Sequence, residues 1–461
     1  MGDQVGAIIE CGPSDWQILQ QDTNGAAAMQ LSGRWVSGEP GKVQVRVAMQ
    51  DSNVSVSRSL DWQNAQTNSD GTWSLALRIP AGGLYRIETR YKADTNLAGE
   101  WSMRGDMRHF IGVGDLWIIA GQSNSAGYGR GPIADPPELG LHLFSNDMRW
   151  KLATHPMNES TDTKHPVNSE VGNPGHSPYL HFARLLKQHL GYPIGLIQTS
   201  LGGSPLSRWN PVELGDKADL YENMLTCVKS TCGAARGVLW YQGESDTGGE
   251  NAISYGKRFI ATVAAWRKAL NDPKLAVVTV QLNRVYQQAN SDSDVGWSRV
   301  REHQRKIPCQ LENCVVVPAI DLPLSDWIHI SPSGNMLLAD RMARSALGAF
   351  YGRSMDYLPP DAKSAKRLEG GKAIDLVFDH VTSRMGTIDP TAIPFQVEDI
   401  SGLAAVTAIE YPGHDTVRLK LQRPIQGKAL VHGNYGICPP TTLMDVERLL
   451  PMLGFYGLEV L

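Results

Sequence analysis

Four short polar stretches follow four apolar runs in the middle of the chain, and together they hold the parts of an acyl-transfer site. Gly121-Gln122-Ser123-Asn124 follows LWIIA, and Leu201-Gly202-Gly203-Ser204 follows GLIQTS. Gln242-Gly243-Glu244-Ser245-Asp246 follows GVLWY, and Asp326-Trp327-Ile328-His329 comes after VVVPAID. A serine hydroxyl is a weak nucleophile at neutral pH and needs a base within hydrogen-bond reach. His329 can serve, because imidazole is the side chain suited to exchanging protons near neutrality. Asp326, three residues earlier in the same loop, can turn back onto the second ring nitrogen. A glycine pair such as Gly202-Gly203 lets backbone N–H groups approach a ligand closely, and the Gln242 amide offers another donor for an oxyanion. Taken singly, each has a plainer reading. Ser123 is then a turn or cap serine, His329 a loop residue ahead of the Ser331-Pro332 helix start, Asp326 a turn acid, and Glu244 an acid satisfying buried amides. The order of all four in successive loops turns the reading toward catalysis.

For four loops to meet, the runs before them must be neighbouring strands of one sheet. From about residue 113 short apolar runs alternate with helical patterns, as in βαβ units around a parallel sheet, whose functional loops lie beyond the C-terminal strand ends. One helix can be read closely. Ser177 stands as N-cap before Pro178; Tyr179, Phe182, Ala183, Leu186 and Leu190 recur at helical spacing; Gly191 closes it. Before this region the pattern is all-β: in KVQVRVAM, Val43, Val45, Val47 and Met49 share one face. After it, IDLVFDHV, FQVEDI, DTVRLKLQ and KALVHGNYG are strand candidates. The expected organisation is a β-sandwich-like domain over 1–112, an α/β domain over 113–352 and a β region over 353–461.

The bulk numbers narrow the partners. A chain of 461 residues holds more than one domain. A net charge of −4 with no Lys/Arg-rich run argues against nucleic acid. No apolar run reaches the length of a bilayer span, and the start MGDQVGAIIE lacks a basic-then-apolar signal pattern. Cys227 and Cys232 in CVKSTC, and Cys309 and Cys314 in CQLENC, are close enough to be read as local disulfides, with Cys11 and Cys438 left as a third candidate pair. Such pairing points to an oxidising compartment, periplasmic or extracellular. In SRWNP, Trp209 is a candidate sugar-stacking wall with Arg208 beside it to pair a carboxylate or hydroxyl; the plainer reading is a packed Trp shielding an Arg stem. Gln122 and Asn124 flank Ser123 as further substrate contacts. The polar segment KLATHPMNESTDTKHPVNSEVGNPGHSP is long enough to form a rim or lid. Its His155, His165 and His176 are spaced irregularly and read as solvated rather than as metal ligands.

GQSN, LGGSPLSRWNP, WYQGESD and DWIH, in that order, resemble the SGNH-hydrolase superfamily, and within it carbohydrate O-acetylesterases of the sialate O-acetylesterase type. The resemblance covers about residues 113–350. It implies a three-layer α/β/α flavodoxin-like domain, no metal or cofactor, and hydrolysis of acetyl esters on sugars. It implies Ser123 as nucleophile, His329 as base, Asp326 as the orienting acid with Glu244 as rival or auxiliary acid, and an oxyanion hole from the Ser123 and Gly203 N–H groups and the Gln242 side chain. One departure is Ser125, where relatives commonly carry Met. Acetylated xylan or another small ester is the alternative substrate. A silent carbohydrate-binding protein is the alternative of another class. An α/β-hydrolase fits less well, because GQSNS lacks the second glycine of GxSxG.

Overall fold

The computed structural model describes residues 6–94, 102–170, 172 and 174–461. The first five residues, part of the start in which no signal peptide is legible, lie outside the described residues, as do Val171 and Asn173 of the polar segment. Leu116–Ala120 are fully buried, as a strand covered on both faces requires. They form the end of the strand Ser102–Gly121, which lies inside a sheet. Across that sheet the order is Trp150–Leu152, Leu141–Phe144, Ile194–Gln198, Ser102–Gly121, Gly237–Tyr241, Ala276–Gln281, Cys314–Pro318. All these pairings are parallel except that of the edge strand Trp150–Leu152. Leaving out the two short strands at that edge, the order in chain sequence is 2-1-3-4-5, so the topological switch falls at the strand ending in Gly121. A ligand crevice is expected beyond that strand's C-terminal end.

Helices cover the sheet and fix its strand ends. Tyr179–Leu190 packs against Pro332–Tyr351, and Gly249–Ala269 against Ser291–Lys306. Phe182, Leu186, Phe259, Trp266, Leu338 and Met342 are fully buried in one core with the strands, and each side chain of this size contributes about 1.5–3 kcal/mol. Gly191 ends the first helix in the left-handed conformation, its N–H bonded to the Lys187 carbonyl. The start of that helix differs from expectation. Pro178 takes the cap position, the helix begins at Tyr179, and the buried Ser177 hydroxyl has no partner. The chain turns one residue nearer the helix than a Ser177 cap requires.

In the N-terminal region Val43, Val45 and Val47 are fully buried along Gly41–Met49, as the alternation predicts. That region is continuous with the central sheet. Gly82–Ala93 pairs antiparallel with Ser102–Gly121, so the strand that ends at the serine begins beside the N-terminal sheet. After residue 353 three small antiparallel sheets enclose a core with Ile374, Leu376, Val417 and Val431. The buried Arg301 fastens this region to the α/β sheet. Its guanidinium donates to the carbonyls of Leu282 and Asn283 on one side, and of Asn434, Gly436 and Ile437 on the other.

All six cysteines are free thiols, which corrects the expected disulfides. Cys227 lies on the buried face of the helix Asp219–Thr231, its sulfur beside Asn223 and Met148, whereas Cys232 is exposed past the helix end. Cys314 is buried in its strand while Cys309 is exposed on the preceding turn. Secondary structure thus separates the members of each local pair, and burial pushes the Cys227 and Cys314 thiols up to about 12. Cys11 is exposed and Cys438 half-buried, each alone. The expectation of an oxidising compartment loses the premise it stood on.

Candidate active site

The nucleophile candidate owes its position to a glycine. Gly121 has φ +130°, and a Cβ there would lie 2.1 Å from the Tyr241 carbonyl, so the two strands approach as only glycine allows. Gln122 N–H donates to the same carbonyl at 3.0 Å, and the chain then turns into the short helix Ser123–Ala126. Ser123 opens onto a cleft of about 460 Å³ that His329, Gly203, Arg208, Tyr128 and Glu170 also line. Ser125 faces inward, with its hydroxyl hydrogen-bonded at Ala120 O, Tyr179 OH and Ser200 Oγ.

The last loop folds as its spacing implies. Asp326 Oδ1 accepts from the backbone N–H groups of Ile328 (2.8 Å) and His329 (2.7 Å), and Oδ2 lies 2.7 Å from His329 Nδ1. Burial alone would raise the Asp326 carboxyl, but these amides and the imidazole outweigh it and hold it below the usual carboxylate range. With Nδ1 facing the acid, Nε2 is the ring nitrogen left for other partners. Ser123 and His329 line the same cleft without a direct hydrogen bond between them. Upstream, Arg341 fixes this loop by a two-point pair with Asp321 (2.7 and 2.6 Å) and a bond to the Pro318 carbonyl.

Glu244 lies elsewhere. Its Oε1 accepts from Asn124 Nδ2 at 2.9 Å, while Oε2 is buried with no partner. The residue as a whole is half-buried, but burial of the carboxyl pushes it up to about 7, the Asn124 bond opposing only part of that. Asn124 Oδ1 in turn accepts from Ile330 N–H at 3.1 Å. Asn124 therefore staples three loops: its own, that of Glu244 and that of His329. This corrects its expected place as a substrate contact.

Other expected contacts are corrected the same way. Gln122 is buried, its Oε1 accepting from Ser245 N–H (3.1 Å) and Gln242 Nε2 (3.3 Å). Gln242 is fully buried and does not line the cleft. Its amide nitrogen is committed to Asp246 Oδ2 at 2.6 Å and to the Ser204 carbonyl, so it holds loops together instead of facing an oxyanion. Trp209 is fully buried, edge-on to Trp240 at 5.3 Å, and is core, not a sugar wall. Arg208 does line the cleft, paired at two points with Asp219 (2.8 and 2.7 Å). Gly203, at φ +65°, also lines it. Neither its N–H nor that of Ser123 has an acceptor among the described residues.

Two site residues have no counterpart in the sequence reading. The Tyr128 ring stacks on His329, centroids 4.9 Å apart. Tyr128 OH donates to Glu170 Oε2 at 2.8 Å, and Glu170 Oε1 accepts from Gly202 N–H at 2.7 Å and Asn158 Nδ2 at 2.6 Å. The polar segment does form a rim, and Glu170, not its histidines, reaches the cleft. His155 and His176 are not solvated. They stack at 4.1 Å and point Nε2 at Asp135 Oδ2 (2.9 and 3.2 Å), whose other oxygen pairs with Arg184. These three are the one group among the described residues whose ligand atoms lie within 4.8 Å. The Arg184 cation on the same carboxylate and the near-parallel rings suit a hydrogen-bonded brace better than converging metal ligands.

A family model described as "carbohydrate esterase, sialic acid-specific acetylesterase" matches residues 113–348. A probable carbohydrate esterase of Arabidopsis thaliana is 31% identical over 259 residues, 51% of this chain and 91% of that one. Human sialate O-acetylesterase is 24% identical over 398 residues, 73% of this chain and 69% of the relative. The crystal structure of a carbohydrate acetylesterase from Xanthomonas citri superposes with a TM-score of 0.67 at 23% identity, over 96% of this chain and 97% of that one, which shows a shared fold.

Proposed function

The chain belongs to the carbohydrate-esterase family of sialic acid-specific acetylesterases, and from that premise we propose that it removes O-acetyl groups from sugars through an acetyl-enzyme formed on Ser123. His329 takes the Ser123 proton as Oγ attacks the acetyl carbonyl, and Asp326 holds the imidazole by Nδ1 and balances the imidazolium. The unclaimed N–H groups of Ser123 and Gly203 donate to the oxyanion. His329 then protonates the departing sugar oxygen. In the second half it activates water, and acetate leaves. The observation that carries this reading is the 2.7 Å Asp326–His329 contact beside Ser123 in one cleft. Glu244, held by Asn124, takes no part in proton transfer.

The names of the curated relatives support O-acetyl sialic acid as substrate, with acetylated xylan as the alternative. The test is acetate release from a panel of O-acetylated sugars by wild type and Ser123→Ala, with folding of the variant confirmed. Wild-type release with a loss of about a thousandfold or more in the variant is expected. Equal activity in both removes Ser123 from the mechanism. Sugar binding without any turnover favours a silent binding protein.

A further inference from the structure

We propose that Tyr128 and Glu170 are positioning residues for the deacetylation, a brace that ties the base His329 to the oxyanion loop at Gly202-Gly203. This rests on the esterase reading above. Attack on an acetyl carbonyl needs the imidazole and the oxyanion donors in register, and the two come from different loops at the sheet edge. A misplacement of about 1 Å between such parts costs about a hundredfold in rate.

Glu170 stands between the two. Its Oε2 accepts from Tyr128 OH at 2.8 Å, and the Tyr128 ring lies against the His329 imidazole, planes 25° apart and centroids 4.9 Å apart. The Arg130 guanidinium packs over the same tyrosine ring at 5.9 Å. Glu170 Oε1 accepts from Gly202 N–H at 2.7 Å, one residue before the Gly203 N–H that serves the oxyanion. The same oxygen accepts from Asn158 Nδ2 at 2.6 Å, and the buried Asn158 in turn accepts from Asn146 Nδ2 at 2.7 Å, so the brace is anchored in the interior. With the Gly202 N–H turned to Glu170, the peptide that follows is held with its Gly203 N–H left for substrate. The fit is close. A Cβ on Gly202 would lie 2.8 Å from Glu170 Oε2 and 3.2 Å from Tyr128 OH. Gly202 does not have a positive φ, so the glycine serves this close approach and not the backbone turn. Both Tyr128 and Glu170 line the cleft with Ser123, His329 and Gly203, and their polar atoms are spent on one another and on the loops they hold.

The test separates positioning from substrate contact and from folding. For each variant, kcat and KM are measured on the acetylated sugar that wild type cleaves fastest, together with the melting temperature. The Ki of methylboronic acid, whose tetrahedral adduct on Ser123 mimics the acetyl intermediate, reads the oxyanion hole directly. Glu170→Ala should lower kcat by about a hundredfold, keep KM within about threefold and weaken methylboronic acid by about tenfold or more. Gly202→Ala, which leaves Glu170 in the chain but wedges it off the loop, should act in the same direction. Glu170→Gln should restore at least about tenfold of the lost kcat, because its carbonyl can accept from Gly202 and Asn158 while its amide donates to the Tyr128 oxygen. Tyr128→Phe keeps the ring against His329 and should cost less than Tyr128→Leu. A wild-type kcat in Glu170→Ala overturns the proposal. So does a raised KM with kcat kept, which would make Glu170 a substrate contact. A kcat loss with methylboronic acid affinity unchanged, or a Gln variant no better than Ala, overturns it too. If Glu170→Ala does not fold, Tyr128→Leu carries the test: a kcat lower by about tenfold with KM kept supports the brace, and an unchanged kcat overturns it. Inactivity of wild type on every acetyl sugar overturns the esterase reading itself, and this inference with it.

Discussion

Glu244→Gln removes a buried titration while keeping the shape. Glutamine fills the same space, and its carbonyl oxygen can still accept from Asn124 Nδ2 as Glu244 Oε1 does. The native carboxyl rises from 4.5 to about 7 because it is enclosed and its second oxygen is unpartnered. A group whose folded-state value is raised contributes stability that is fully present below its unfolded value and is lost as pH rises through the folded one. Wild type should therefore lose stability between pH 4.5 and 7, by about 3 kcal/mol once the group is ionised. Glu244→Gln should be spared that part of the loss. Urea unfolding followed by tryptophan fluorescence at pH 5 and pH 8, wild type beside variant, isolates this group because the other titrations cancel in the difference. The variant should gain about 2–3 kcal/mol on wild type between the two pH values. A wild type–variant difference that does not change with pH would refute the reasoning, since it would mean that Glu244 titrates as an exposed acid.

Asp326→Asn keeps the loop contacts but withdraws the charge opposite imidazolium; kcat/KM on an acetylated sugar should fall by about a thousandfold or more, with little change in melting temperature. Trp209→Ala empties a site edge-on to Trp240 and should destabilise the protein by about 3–5 kcal/mol in denaturant unfolding, while KM of the folded fraction stays near wild type. A sugar-wall tryptophan would show the opposite. With all six cysteines free, thiol titration in denaturant without reductant should count six reactive thiols, whereas two local disulfides would leave two.

The strand-end loops were legible because each follows an apolar run too short to be anything but a buried strand, and a parallel sheet delivers such loops to one edge. Asp326 and His329 were legible because their pairing is local, three residues within one loop. What escaped depends on distant partners. Tyr128 and Glu170 meet across 42 residues, from segments without periodicity; the polar segment could be marked as a rim but not searched for the residue that reaches in. Gln122, Asn124 and Trp209 have the residue types of ligand contacts, and only the packing of other loops and of Trp240 shows them to be interior braces. His155 and His176 looked solvated because Asp135, the acid they share, is 20 and 41 residues away.

Arg301 bears on what counts as a unit in this protein. Burial draws its guanidinium down to about 10, and what keeps it charged inside the molecule is a ring of carbonyl oxygens, three of them contributed after residue 430. The residues after 352 thus act as solvent for a charge on the helix Ser291–Lys306. A chain cut at that point would keep every strand and helix of the catalytic layer and strip Arg301 of three of its five carbonyl acceptors, leaving those of Leu282 and Asn283. By shape the catalytic layer ends near residue 352; by solvation it reaches at least to Ile437.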